Sequence, residues 1–356
     1  MHLEVIDEFR DALGELIAGR RLSIEATRRA IELIVEGAVP EALVASFLTA
    51  LRFQGETIDE LTGAALAVRA ASTRLYADSD GTPLRRGLLD TCGTGGDGAK
   101  TVNVSTATAI VAAAAGAKVA KHGNRSASGN SGSAEVLEHL NVAIDIPAES
   151  AALSLDLLGI TFLFAVKYHP ALRRVASIRK QLPFRTIFNL VGPLCNPALP
   201  SYQLIGVPNE SHLDTIAGAV ARLGTVDRAA VVWGTDGVDE VSLAAPTHVR
   251  KIEHGVIRSE TWTPEDFGLE RVAGEDLVVA DPAASARMIR AILAGEPIPA
   301  RRVVIANCAA ALWIAGAANS LQDGVAKAVE AIDSGAAKQL LERWSLLTRS
   351  SPPQLA

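Results

Sequence analysis

Residues 90–106 read DTCGTGGDGAKTVNVST, with four glycines (Gly93, Gly95, Gly96, Gly98) between a short apolar run at 87–92 and a longer apolar segment of small residues at 106–117. That order predicts a strand, a tight loop and a helix. Glycine lets backbone amides approach a ligand closely, and Ser105 and Thr106 are placed to cap the helix whose first amides face the same space. The chemistry such a loop suits is anion binding, most often phosphate. Beyond Asp97 the chain carries Lys100, Lys118, Lys121, His122 and Arg125 and no acidic residue until Glu135, although the whole protein has a formal net charge of −6. A local surplus of cations in an acidic protein predicts a site for a polyanion, not general affinity for nucleic acid or membrane. A solvated turn with incidental lysines would carry the same residues.

A second glycine-serine cluster, KHGNRSASGNSGSA at 121–134, leaves a predicted strand and enters a predicted helix at 135–140. Two such loops suggest a ligand with two separate phosphate groups, with Lys121 and Arg125 supplying charge and Asn124 directional hydrogen bonds. Taken literally, 93–98 is also a G-x-G-x-x-G, the dinucleotide fingerprint. The ribose-binding acid expected about 20 residues later is missing, although Arg125 could serve the 2′-phosphate of NADP. Nor is it a P-loop, because Lys100 falls one place too late. Asp239 and Glu240, in GTDGVDEVS, are hard oxygen donors suited to magnesium; read alone they are equally an acidic turn beside Asp236-Gly237. Arg173, Arg174, Arg179, Lys180 and Arg185 read as the polar face of a helix.

The elements that must hold these residues follow from pattern. Residues 5–71 show four successive helical periodicities, with Pro40 in a first turn and Thr57 with Glu60 at capping-box spacing. Residues 72–86 mix Asp, Ser, Gly and Pro and form a linker. From Leu88 onward short apolar runs (118–121, 161–164, 203–207, 228–233) alternate with alanine-rich stretches, which predicts an α/β domain around a mainly parallel sheet. Late helices are expected over 282–293, 303–316 and, with breaks, 320–347, followed by a frayed tail at 350–356. The domains expected are a helical unit at 1–72, joined by part of 170–190, and an α/β unit at 73–356. With 49% hydrophobic residues, the chain of 356 residues can bury two such cores. Aromatics make up only 4%, against stacking platforms for single-stranded nucleic acid. Cys92, Cys195 and Cys308 are scattered, so neither a zinc site nor a disulfide framework is indicated. The absence of an apolar signal core and of any membrane-length run predicts a cytoplasmic protein.

GTGGD at 93–97, TVNVST at 101–106, KHGNRS at 121–126, SGSAEVLE at 131–138, FNLVGPLCNP at 188–197 and DEVS at 239–242 follow in order over nearly the whole chain. In these motifs the chain resembles the anthranilate phosphoribosyltransferase family. The resemblance implies the nucleoside-phosphorylase type of fold, a homodimer, magnesium, and transfer from phosphoribosyl pyrophosphate to anthranilate in tryptophan biosynthesis. By similarity, phosphoribosyl pyrophosphate would be surrounded by Gly93, Gly96, Asp97, Thr101, Asn103, Val104, Ser105, Thr106, Lys121, His122, Gly123, Asn124, Arg125, Ser126, Ala127, Ser128, Gly129 and Ser133. Anthranilate would meet Gly93, His122, Asn124 and Arg179, with Gly192 and Pro193 as an apolar wall; Ser105, Asp239 and Glu240 would hold magnesium. The resemblance assigns no strong general base, leaving His122 or bound water as acceptor of the released proton. His169-Pro170 would fix the start of the helix carrying Arg179. An anthranilate synthase amidotransferase partner is left open. The chain departs from the family pattern at Gly129 and Asn130 (usually Ser and Lys), Glu135 (Asp) and Cys195 (Thr). Rival readings are a nucleoside phosphorylase, an NADP oxidoreductase and a non-catalytic nucleic-acid-binding homologue.

Overall fold

The structure is a computed structural model that describes residues 2–76, 87–126 and 131–350. The chain opens with four helices: α1 (His2–Ile17), α2 (Ile24–Glu36), α3 (Glu41–Gln54) and α4 (Ile58–Ala70). Their ends are chemically marked. Ser23 caps α2 and Gly37 closes it at φ 75°, while Thr57 and Glu60 form the expected capping box on α4. Pro40 stands one place earlier than expected, as the N-cap of α3. The helices pack closely because Gly63 on α4 lies against the α2 backbone, where a β-carbon would come within 2.4 Å of the Ile24 carbonyl oxygen.

Then the α/β part begins: β1 (Leu88–Asp90), α5 (Val104–Ala114), β2 (Lys118–Gly123), α6 (Ser133–His139), α7 (Ala148–Leu158) and β3 (Ile160–Phe164). The chain next returns to the helical part through α8 (Ala165–Tyr168), α9 (Arg173–Gln181) and α10 (Ile187–Leu190). Val175, Ile178, Ile187 and Phe188 join the same apolar cluster as α1–α4. Arg174 fastens α9 to the end of α2, donating to the carbonyls of Val35 (2.8 Å) and Glu36 (2.7 Å).

The rest comprises β4 (Tyr202–Gly206), α11 (Ser211–Leu223), β5 (Arg228–Gly234), β6 (Thr247–Glu253), β7 (Val256–Trp262), α12 (Pro264–Phe267), α13 (Pro282–Leu293), α14 (Pro299–Ile314), α15 (Leu321–Asp333) and α16 (Ala336–Arg349). The seven-stranded sheet runs β3-β2-β1-β4-β5-β6-β7, parallel through β5 and antiparallel beyond. Side chains alternate between its faces as a strand requires. Leu204, Ala230 and Val232 enter the core beneath α5 and α13–α16; Ile205, Ala229 and Val231 enter the core shared with α11 and the helical part. The hairpin β6–β7 was not foreseen.

Among the described residues no helix is long and apolar enough to cross a membrane. The linker expected at 72–86 lies mostly outside the described residues, as does nearly all of the expected tail.

Candidate active site

The chain moves from β1 to β2 and β3 on one side, then returns to place β4 on the other side of β1. This is a topological switch point, where the loops at the carboxyl ends of adjacent strands part and leave a crevice. The first glycine loop follows β1 directly into it. Gly95, Gly96 and Gly98 have φ of 62°, 86° and 75°, and Lys100 one of 53°, so the loop coils through left-handed conformations that glycine adopts at little cost.

The loop is held from outside. Thr94 donates its backbone N–H to the Gly206 carbonyl at 2.9 Å. Gly206, at the end of β4, is also where 234–242 crosses, since a β-carbon there would lie 1.5 Å from the Asp239 carbonyl oxygen. Val102 N–H bonds to Leu277 O and Val279 N–H to Lys100 O, and Thr101 pairs with Val278. The helix cap differs from expectation. Asn103, not Ser105 or Thr106, caps α5, its Oδ1 accepting from the Thr106 N–H at 3.0 Å. Asn103 itself is fixed by Ser285 Oγ and by the Ser131 carbonyl. Val104 and Thr106 turn their side chains into the core, while Ser105 remains at the crevice.

The second loop begins inside β2. Lys121 is 2% exposed, and its ammonium donates to Thr91 O (3.2 Å) and Ser105 Oγ (3.1 Å), linking strand, loop and helix. His122 is also buried. Its N–H donates to Asp90 Oδ1; its Nδ1 lies 3.1 Å from the Gly192 carbonyl and its Nε2 3.2 Å from His169 Nε2. A carbonyl only accepts, so Nδ1 carries the proton and Nε2 accepts from His169. Both ring nitrogens are therefore engaged, and burial, with His169 adding to it, pushes the His122 pKa down to about 3. His122 is thus not placed to accept the released proton.

Asp90, fully buried, also accepts from Asn196 Nδ2 at 2.7 Å and so ties the floor of the second loop to the segment carrying Gly192 and Pro193. Arg125 departs from expectation as well: Glu138 neutralises it in a two-pronged pair at 2.7 and 2.8 Å. Gly123 gives room to Ser133 Oγ and Phe162, which a β-carbon would strike. Asn124 is exposed; its Oδ1 accepts from the Arg125 N–H and its carbonyl from Ser133 Oγ. Ser126 N–H is held by Glu135. Ala127, Ser128, Gly129 and Asn130 lie outside the described residues.

Asp239 and Glu240 reach the crevice from the loop after β5. Burial, with Asp97 crowding it, pushes the Asp239 carboxyl up to about 7; burial and Asp239 raise Glu240, while Lys121 opposes this. Such like-charge crowding is relieved by a cation. Among the described residues no group of three His, Cys, Asp or Glu side chains forms a complete metal cage. Two carboxylates and a serine hydroxyl instead fit magnesium, which takes few protein ligands and completes its shell with phosphate and water.

Arg179, on α9, lies half-buried with its guanidinium 5.7 Å above the Phe188 ring and close enough to Arg185 to feel its charge, and no acidic residue pairs with it among the described residues. Burial, reinforced by Arg185, lowers its pKa, a cost an incoming carboxylate would repay. Arg185 also faces the crevice, donating to the Thr94 carbonyl at 2.9 Å. Its position, like those of Gly206, Asp90 and Asn196, was missed by sequence reasoning.

Residues 10–72 match the helical bundle domain of a glycosyl transferase family and residues 85–338 its a/b domain. The chain is 44% identical over 341 residues to the anthranilate phosphoribosyltransferase of Rubrobacter xylanophilus, covering 96% of this chain and 97% of that one. The crystal structure of the Thermus thermophilus anthranilate phosphoribosyltransferase superposes with a TM-score of 0.88 at 40% identity, covering 96% of this chain and all of that one. The Saccharomyces cerevisiae enzyme, solved in complex with PRPP and Mg, gives 0.86 at 27% identity, covering 96% and 98%. Matched along almost its whole length in both sequence and fold, the chain belongs to the anthranilate phosphoribosyltransferase family.

Proposed function

We propose that the protein transfers the 5-phosphoribosyl group of phosphoribosyl pyrophosphate to the amine of anthranilate and releases pyrophosphate, as a cytoplasmic, homodimeric enzyme of tryptophan biosynthesis. The observation that carries this reading is the meeting of an amide-lined glycine loop, the buried Lys121 and the Asp239-Glu240 pair, to which Arg179 is linked through its neighbour Arg185. The structural units that carry it are 1–72 with part of 170–190, and 73–356. An anthranilate synthase amidotransferase is a further candidate partner.

Phosphoribosyl pyrophosphate is assigned to Gly93, Gly96, Asp97, Thr101, Asn103 and the first turn of α5, to 121–129 and to Ser133. Anthranilate is assigned to Gly93, His122, Asn124 and Arg179. Ser105, Asp239 and Glu240 would hold magnesium, which when bound offsets charge on the pyrophosphate. The sugar C1′ gains positive character as pyrophosphate departs, so this chain's task is to neutralise and to position. Loop amides and Lys121 receive the phosphate oxygens. Arg179 grips the anthranilate carboxylate through its planar fork, which orients the amine. The aromatic amine needs little activation, and the neutral His122-His169 pair keeps added positive charge away from C1′. The released proton passes to water or to the departing pyrophosphate.

The test is to mix protein, anthranilate, phosphoribosyl pyrophosphate and magnesium and to follow anthranilate fluorescence together with pyrophosphate. Loss of one matched by release of the other, abolished by chelator, is expected. Pyrophosphate release without loss of anthranilate would refute the assigned acceptor.

A further inference from the structure

Arg185 belongs to the short connection between α9 and α10, within the segment that returns to the helical part of the fold. Its side chain nevertheless crosses to the first glycine loop. Nη2 donates to the Thr94 carbonyl at 2.9 Å, and Nη1 lies so near Gly96 that a β-carbon there would come within 1.2 Å of it. Gly96 leaves the space that the guanidinium fills. Its Nε is buried and has no hydrogen-bond partner among the described residues. An unpaired buried N–H of a charged group is costly unless something supplies an acceptor.

The charges around it are arranged to the same end. Burial lowers the Arg185 pKa, Asp239 and Asp97 oppose that shift and Arg52 adds to it, yet Arg185 forms no ion pair among the described residues. A cation close to two carboxylates, but committed to neither, is free to meet a third anion. The third anion expected beside the glycine loop is the end of the donor that leaves.

We propose that Arg185 is a substrate-contacting residue for the pyrophosphate end of the ribosyl donor. One side of its guanidinium fixes the Thr94 carbonyl so that the loop amides point into the crevice, and its unpaired N–H groups bind the leaving oxygens. It thereby divides labour with Arg179, six positions earlier, which faces the acceptor. This assignment rests on the function proposed above, but its test does not depend on the identity of the acceptor.

The experiment measures binding of inorganic pyrophosphate in magnesium chloride by calorimetry, and both Michaelis constants, for wild type and Arg185→Ala. Loss of one charge-assisted contact predicts roughly tenfold or more weaker pyrophosphate binding and a similar rise in the Michaelis constant for the donor, with that for anthranilate nearly unchanged. Arg185→Lys, which keeps charge without the fork, should recover part of the loss. Unchanged pyrophosphate affinity, or an equal rise in both constants, would overturn the assignment. If Arg185→Ala does not fold by circular dichroism, Arg185→Lys and Arg185→Gln decide the matter by the same split. Wild-type protein that binds pyrophosphate in an Arg185-dependent way, yet does not consume anthranilate, would refute the proposed reaction and leave this inference standing.

Discussion

The two glycine-rich loops follow neighbouring strands, each opens a helix, and in sequence they look like two copies of one device. The fold builds them in opposite ways. The first is a cradle of amides braced from outside by Gly206, Arg185 and the 277–279 segment. Apart from its own Asp97, the charges that face it arrive from other elements. The second is still strand where its polar residues begin, so Lys121 and His122 are buried in the floor, while its more exposed Arg125 is neutralised by Glu138. One loop offers backbone and borrows charge; the other lends its side chains and keeps them fixed.

If the first loop borrows its charge, the largest loss should follow from removing a lender. Asp239→Asn with Glu240→Gln should lower magnesium-dependent turnover roughly 10⁴-fold, because among the described residues no other carboxylate pair at the crevice replaces it. Steady-state rates across a magnesium titration check this. Magnesium dependence identical to wild type would move the metal site elsewhere and make the two loops more alike than the fold implies.

The second loop's fixed floor makes a prediction about pH. His122 and His169 are held neutral by burial, with pKa values pushed down from 6.5 to about 3 and about 4. As pH falls below 6.5 the unfolded chain gains protons that the folded rings refuse, so stability is lost in that direction. At pH 5 the cost is about 2 kcal/mol per ring, or about 4 kcal/mol for the pair. Asp90 and Asp239, pushed up to about 6 and about 7, act with the opposite sign and gain stability on acidification. The comparison must therefore be paired: urea unfolding at pH 7 and pH 5 of wild type and of a His122→Asn/His169→Asn variant. The difference should move toward the variant by about 4 kcal/mol at the lower pH. A pH-independent difference would mean that the floor is open to water.

How much of this was legible differs between the regions for physical reasons. Strands buried on both faces announce themselves as short apolar runs, and those at 118–121, 161–164, 203–207 and 228–233 all fall within or across β2–β5. In the hairpin β6–β7 the outer strand is exposed on both faces over most of its length, Val256 and Ile257 included, and the pair reads as mixed polar sequence. Its available signal was His254-Gly255, with φ of 48° and 80°, the pair of left-handed residues a tight hairpin turn needs. At the site, the residue types of both loops were readable because glycine and clustered cations have few other uses. Arg185 was not, since nothing local separates an arginine on a helix face from one that crosses to another part of the fold. Gly206 and Asn196 likewise acquire their roles only when distant segments close on them. Asn103 was missed as a cap because Ser105 and Thr106 offered the same chemistry two and three positions later.

Arg179 and Arg125 carry the comparison to its smaller effects. Arg179 has no acidic partner among the described residues, so Arg179→Ala should remove the anthranilate carboxylate's contact and raise its Michaelis constant roughly 10- to 100-fold, with little change for the donor. Equal effects on both constants would sink that assignment. Arg125 is the opposite case. Its guanidinium is already paired with Glu138, both side chains are nearly half exposed, and such a pair contributes about 0–1 kcal/mol. Arg125→Ala should therefore shift the Michaelis constant for phosphoribosyl pyrophosphate by less than about threefold and stability by less than about 1 kcal/mol. Glu138→Gln sharpens the point, because it frees Arg125 without removing it. If donor affinity rises in Glu138→Gln and falls in Arg125→Ala, the arginine leaves its partner for the ligand, and the second loop also works by lending charge on demand. If neither moves, the loop's chemistry lies in its buried floor.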